Sequence, residues 1–299
     1  MRAARRGWAG WPVRRPGHPY LAGAPLFIAH RGGAALAPEN TMAAFTAAVE
    51  QWDADVLEMD VHRTADGRVV VIHDATVDRT CDGSGAVREL PWSEVRMLDA
   101  GHRFRDPAGE PAFRGRGVGI PLLDEVLETF PDTRMNVEAK TPEVAPLLVE
   151  AVLRHGAQHR VLMAAELEGA RPSRHGYPGP HGASRRQIRL FHLLHHRPLG
   201  FLYTPRADAL QVPDAWMGTR VVTPRFVREA HRRNIPVHVW TIDESADMRR
   251  LLSWGVDGIQ SDRLDRLARV LMEETGRPPP PALSAAGAGA AATTGERAT

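Results

Sequence analysis

The chain has 299 residues, 43% of them hydrophobic and 25% charged, with a formal net charge of +2; this is the make-up of a soluble globular protein that can bury a core. Its basic residues are dispersed and form no run that would follow a phosphate backbone, which argues against a nucleic-acid partner. The single cysteine, Cys81, excludes an internal disulfide and gives no sign of a cysteine metal site, and no apolar stretch has the length of a transmembrane span or forms a secretory h-region, so a cytoplasmic location is expected.

Residues 1–24 are rich in Gly, Pro and Arg and read as an irregular arm, and residues 276–299 open with prolines and dissolve into Ala, Gly and Thr, the composition of a disordered tail. Removing either end is expected to leave fold and turnover intact. Between them, residues 25–275 alternate short apolar runs with amphipathic helical segments. The runs "PLFIAH", "ADVLEMDV", "TRMNVEA", "RVLMAA", "ADALQVP", "IPVHVWTI" and "VDGIQ" are strand candidates, and segments such as "NTMAAFTAAVEQW", "EVAPLLVEAVLRHG" and "RLDRLARVLMEET" between or after them are helix candidates. Such a βα rhythm predicts an α/β fold built on a parallel sheet. An eighth strand is placed near residues 179–184, inside a Pro- and Gly-rich stretch with almost no strand signal. The rhythm breaks once: "VHRTADGRVVVIHD" carries the Asp-Gly pair of a tight reversal, so the second strand runs into a β-hairpin, followed by an insertion over about residues 75–120.

Strand side chains alternate faces, so Glu58 and Asp60 share one face of "DVLEMDV", about 7 Å apart, and Asn136, Glu138 and Lys140 share one face of "RMNVEAK". If these strands are neighbours, three carboxylates converge, and an all-oxygen set suits Mg²⁺ or Ca²⁺ better than Zn²⁺; ion pairing with nearby arginines is the alternative. His30 ends the first strand and His73 the hairpin strand, where a barrel's carboxyl-end site would lie. The glycines after Arg31 would let backbone approach a ligand, and Arg31 can fork onto a phosphate. A cation beside two imidazoles and an arginine describes phosphoester hydrolysis. Lys140, the only lysine among 38 basic side chains, is either a compact charge for an oxyanion or a chance survivor. Trp240 offers a polyol a flat wall or packs in the core. "HLLHH" at residues 192–196 reads as a solvated helix face.

Together, "AHRGG…PENT", "LEMDVHRTADGRVVVIHD", "DRTCDGSG", "IPLLDEVLE", "NVEAK", "VWTID" and "GVDGIQSD" make the sequence resemble the glycerophosphodiester phosphodiesterases over roughly residues 26–270. The resemblance implies a TIM (β/α)₈ barrel with a small insertion after the hairpin that follows strand 2. It also implies a phosphoric diester hydrolase of lipid-headgroup turnover, dependent on a divalent cation and converting glycerophosphodiesters to glycerol 3-phosphate and an alcohol. By position, Glu58, Asp60 and Glu138 would be metal ligands, and His30 and His73 the acid/base pair. Arg31 and Lys140 would hold phosphate, Trp240 would border the glycerol pocket, and Glu39 would support Arg31 or the metal shell. The rivals are hydrolysis of lysophospholipids, which needs an apolar track for which Phe104 and Phe113 are the candidates, and a non-catalytic barrel binding phosphorylated headgroups.

Overall fold

The computed structural model describes residues 14–196 and 202–284. Its strands are β1 (Leu26–Ala29), β2 (Val56–Arg63), β3 (Val69–Val71), β4 (Arg134–Ala139), β5 (Val161–Ala164), β6 (Leu210–Pro213), β7 (Ala215–Trp216), β8 (Thr219–Arg220), β9 (Val237–Trp240) and β10 (Gly258–Ser261). Its helices are α1 (Met42–Thr46), α2 (Trp92–Val95), α3 (Leu123–Thr129), α4 (Ala145–Arg154), α5 (Arg185–His196), α6 (Pro224–His231), α7 (Ser245–Ser253) and α8 (Leu264–Thr275). Parallel strands run in the order β5-β4-β2-β1-β10-β9-β6, with β3 antiparallel to β2 as the arm of a hairpin. The βα rhythm thus becomes a curled parallel sheet with its helices outside, a TIM (β/α)₈ barrel.

Closure of the ring falls where the sequence is least strand-like. His181 bridges Met163 and Gly182 bridges Ala209, both in parallel. The backbone bonds Gly182 N–H to Met163 O and Ala183 N–H to Ala209 O, each 3.0 Å, tie this short segment to both neighbours. At Gly182 a Cβ would lie 2.4 Å from Gln211 Oε1, so a side chain there would have to displace the Gln211 amide. The expected eighth strand is therefore a few residues long, and Pro and Gly serve it because closure needs backbone and not apolar bulk.

Alternation along the strands separates two cores. Phe27, Leu57, Met59, Met135 and Val137 face the helices, whereas Leu26, Ile28, Val56, Leu162 and Ala209 fill the barrel floor. The floor is completed from below by Tyr20 and Leu21, 3% and 9% exposed, on a single 3₁₀ turn at Pro19–Leu21. Arg134 Nη1 donates to the backbone oxygens of Tyr20 and Ala22 at 3.0 and 2.7 Å, and Arg15 pairs with Asp208. The described part of the arm is thus irregular apart from that turn, yet docked as a plug, which weighs against the expectation that it can be removed without consequence. At the other end, Arg277 donates to Asp55 at 2.6 Å and Leu283 packs on the outer core, so the tail reading fails for residues 276–284; residues 1–13 and 285–299 lie outside the described residues. The insertion carries its own cluster of Val77, Cys81, Val87, Val95 and Ile120 packed on Val70 and Ile72. Burial pushes the Cys81 thiol above its ordinary pKa, leaving it an inert core residue.

In the barrel floor, level with Leu26 and Gly258, His238 is fully enclosed and its Nε2 has no hydrogen-bond partner among the described residues. Burial lowers its pKa from 6.5 to about 4. In that window the unfolded chain binds the proton and the folded one does not, so stability rises with pH from 4 to 6.5 and is lost as pH falls. The full span corresponds to about 3 kcal/mol. Urea unfolding of wild type and His238→Gln between pH 7 and 4.5 is expected to give a flatter pH dependence for the variant; parallel curves would refute the assignment.

Candidate active site

Apolar side chains on both faces leave the carboxyl ends of the strands as the place for polar groups, and there the structure gathers the predicted residues. Asp60 sits opposite Glu138 and Glu58 opposite Asn136 in the β2–β4 register. Glu58, Asp60 and Glu138 each offer an oxygen within 4.8 Å of the others. They share a cavity of about 710 Å³ with His30, Arg31, His73, Lys140 and Trp240. Glu39 lies behind this wall.

Each carboxylate has a different environment. Asp60, buried, faces Lys140 Nζ at 3.2 Å and Arg31 Nε at 3.3 Å, and accepts from Asn40 Nδ2 at 3.0 Å. Burial would raise its pKa, but Lys140 and Arg31 outweigh burial and hold it below the usual carboxylate range. Glu58 accepts the Arg31 backbone N–H at 2.8 Å, yet burial and then Asp60 push it up to about 7. Glu138 is also raised by burial, against the opposing Lys140 at 3.2 Å. Three carboxylates thus face two cations, Lys140 and Arg31. The donor set is all oxygen, and Asn136 Oδ1, buried in the same wall, has no hydrogen-bond partner among the described residues. These residues fit a hard cation bound through oxygen.

The two imidazoles are held alike. His30 Nδ1 bonds Asp262 Oδ1 at 2.7 Å and His73 Nδ1 bonds Asp74 Oδ1 at 2.6 Å. With Nδ1–H donating to a carboxylate, Nε2 is the atom left for chemistry. Burial works against the charged form of His30, but Glu58 and Asp262 outweigh it and raise its pKa; burial lowers that of His73, with Asp60 and Asp74 opposing incompletely. Behind them an ionic chain runs through the wall: Arg31 Nη1 donates to Glu39 at 3.0 Å, Arg79 donates to both Glu39 oxygens at 2.7 and 2.8 Å, and Arg79 Nε donates to Asp74 at 2.6 Å. Arg31 takes a left-handed φ of 50°, a costly conformation held by its N–H on Glu58 and by Asn40 N–H on its carbonyl at 2.9 Å.

Gly32 and Gly33 form a positive-φ turn packed under helices: a Cβ on Gly32 would meet Ala44 at 2.7 Å and one on Gly33 would meet Leu264 at 2.7 Å. Two expectations change. In "HLLHH", His195 is buried beside Phe191 and Phe226, and His192 lines the cavity; the side chain of His196 lies outside the described residues. Phe104 and Phe113 pack edge to face on each other, ring centroids 5.4 Å apart, and do not line the cavity. Its apolar side comes instead from Ile188 of α5 and from Trp216 and Met217 of the β7–β8 hairpin, 47% and 90% exposed for the last two. Asp262, Asp74, Arg79 and Asn40 are the residues that sequence reasoning missed. Their signal was adjacency, since each lies in a motif already recognised ("QSD", "VIHD", "DRT", "PENT").

A family model described as the glycerophosphoryl diester phosphodiesterase family matches residues 30–266. A glycerophosphodiester phosphodiesterase of Caldanaerobacter subterraneus subsp. tengcongensis is 32% identical over 82% of this chain and 97% of its own. A probable glycerophosphodiester phosphodiesterase 2 of Mycobacterium tuberculosis is 34% identical over 84% of this chain and 92% of its own. The crystal structure of a glycerophosphodiester phosphodiesterase from Agrobacterium tumefaciens superposes with a TM-score of 0.66 at 27% identity, covering 81% of this chain and 99% of that one.

Proposed function

The chain belongs to the glycerophosphoryl diester phosphodiesterase family, and from that membership we propose a site in which Glu58, Asp60 and Glu138 hold a divalent cation, Mg²⁺ or Ca²⁺, beside His30 and His73. The enzyme is a phosphoric diester hydrolase that splits glycerophosphodiesters into glycerol 3-phosphate and an alcohol. The observation that carries the site reading is the β2–β4 register, which sets Asp60 against Glu138 with Glu58 one step below on the same face.

A bound divalent cation supplies Lewis-acid charge to the phosphoryl oxygens. Lys140, drawn to Asp60 and Glu138 at 3.2 Å each, places a compact ammonium on the phosphate, and Arg31, which also faces Asp60, adds a second fixed positive charge. The two imidazoles share the proton traffic through Nε2: one takes the proton of the attacking hydroxyl as its oxygen bonds phosphorus, the other returns a proton to the departing alkoxide as its P–O bond breaks. Asp262 and Asp74 keep both rings in the tautomer this requires. Trp240, on the cavity wall, gives the glycerol carbons an apolar face. The partner of the site is thus a small-molecule glycerophosphodiester. Among the described residues no helix is long and apolar enough to cross a membrane.

Purified protein is expected to release glycerol 3-phosphate from glycerophosphocholine, and a chelator to stop the release. His73→Ala should lose about 10²- to 10³-fold in kcat with KM little changed. Release that survives the chelator would sink the cation assignment. Lysophosphatidylcholine cleaved in preference would favour the second reading, which the exposed apolar hairpin at the mouth supports.

A further inference from the structure

The cavity is much larger than glycerol 3-phosphate requires, and the wall across the ring from His30 is made by α5, Glu166 and the β7–β8 hairpin. That wall contains what a quaternary ammonium alcohol would need, a carboxylate and an indole face, but both are already engaged. Glu166 is paired with Arg185, and the Arg185 guanidinium lies over the Trp216 ring at 5.9 Å from its centroid. Arg185 and Glu166 thus cancel as charges, and a choline would have to displace an arginine from both groups. One turn along α5, Arg189 also lines the cavity. It is exposed, and among the described residues it makes no ion pair. The far wall therefore presents one uncompensated positive charge and no free anion.

Resting on the catalytic reading above, we propose that the leaving-alcohol subsite selects alcohols that carry a second anionic group, such as a polyol phosphate or phosphodiester, over cationic alcohols, and that Arg189 is the specificity-determining residue. The glycerol 3-phosphate half of the substrate lies at the cation site and Trp240, so the alcohol on the other ester arm extends toward α5. An anionic substituent there meets Arg189 with a charge-assisted hydrogen bond, while a trimethylammonium meets only like charge.

The test compares kcat/KM for bis(glycerophospho)glycerol, whose leaving alcohol carries a phosphodiester, with that for glycerophosphocholine, corrected for the two equivalent ends. The expected ratio is roughly tenfold at low salt, falling as NaCl rises because the contact is solvent-exposed. Arg189→Gln should bring the ratio close to one, and Arg189→Glu should invert it. Glycerophosphoglycerol, with a neutral leaving alcohol, should respond least to both variants. A wild-type ratio at or below one, or equal losses on all three substrates in Arg189→Gln, would overturn the assignment while leaving the catalytic reading standing. No glycerol 3-phosphate from any of the three would overturn both.

Discussion

The double substitution Glu58→Gln and Glu138→Gln is expected to lower kcat/KM by about 10⁴-fold, the several kcal/mol that a cation contributes to phosphoryl transition states. It should do so without loss of fold. The amide oxygen introduced by Glu58→Gln would still accept the Arg31 N–H that Glu58 receives at 2.8 Å, and the double change removes one buried and one half-buried carboxylate that the protein accommodates at a cost. Burial and Asp60 push Glu58 up to about 7 in the cation-free protein, and burial raises Glu138 as well. Neutral amides relieve that repulsion, so the cation-free variant should melt at the same temperature as wild type or higher. Wild type, in turn, should gain stability on adding Mg²⁺ or Ca²⁺, about 4 kcal/mol at a thousandfold excess over Kd, and the variant should gain none. Calorimetric melts with and without cation, run beside turnover, check both. A variant that lost activity and melted well below wild type would show that the carboxylates are structural and not a cation site.

The second large effect is expected far from the chemistry. Tyr20→Ala should destabilise the barrel by about 3–5 kcal/mol, the range for truncating a buried aromatic. Tyr20 is 3% exposed and lies in one cluster with Leu26, Ile28, Val56 and Leu162. Its loss opens a cavity beneath the strands that carry His30, Glu58 and Asp60, with no neighbouring layer able to collapse into it. Deleting residues 1–22 removes in addition the Arg15–Asp208 pair and the Tyr20 carbonyl that Arg134 holds, and should cost more than the point substitution. Denaturant titration decides: a midpoint shift equivalent to less than about 1 kcal/mol for Tyr20→Ala would mean that the floor seals without its plug.

What the sequence by itself determined is whatever a local period or a contiguous motif can carry. The period-two alternation in "DVLEMDV" and "RMNVEAK" sorted Glu58, Asp60, Asn136 and Glu138 onto an inner face before any strand was paired, because the pleat forces successive side chains to opposite sides. The βα rhythm dictated a parallel sheet for the same kind of reason, since parallel neighbours need a long crossover connection. Tertiary structure alone decided the rest. Asp262 reaches His30 across 232 residues and Arg79 reaches Glu39 across 40, and such pairings leave no local period to read. Closure at His181 and Gly182 rests on backbone hydrogen bonds, which every residue type can make, proline as acceptor only, and which no hydrophobic pattern announces. Tyr20 is apolar enough to be core, but only the open lower end of a finished barrel gives it a place to be buried. That Gly32 and Gly33 also make room for neighbouring helices is visible only in three dimensions, in the positions of Ala44 and Leu264 against them.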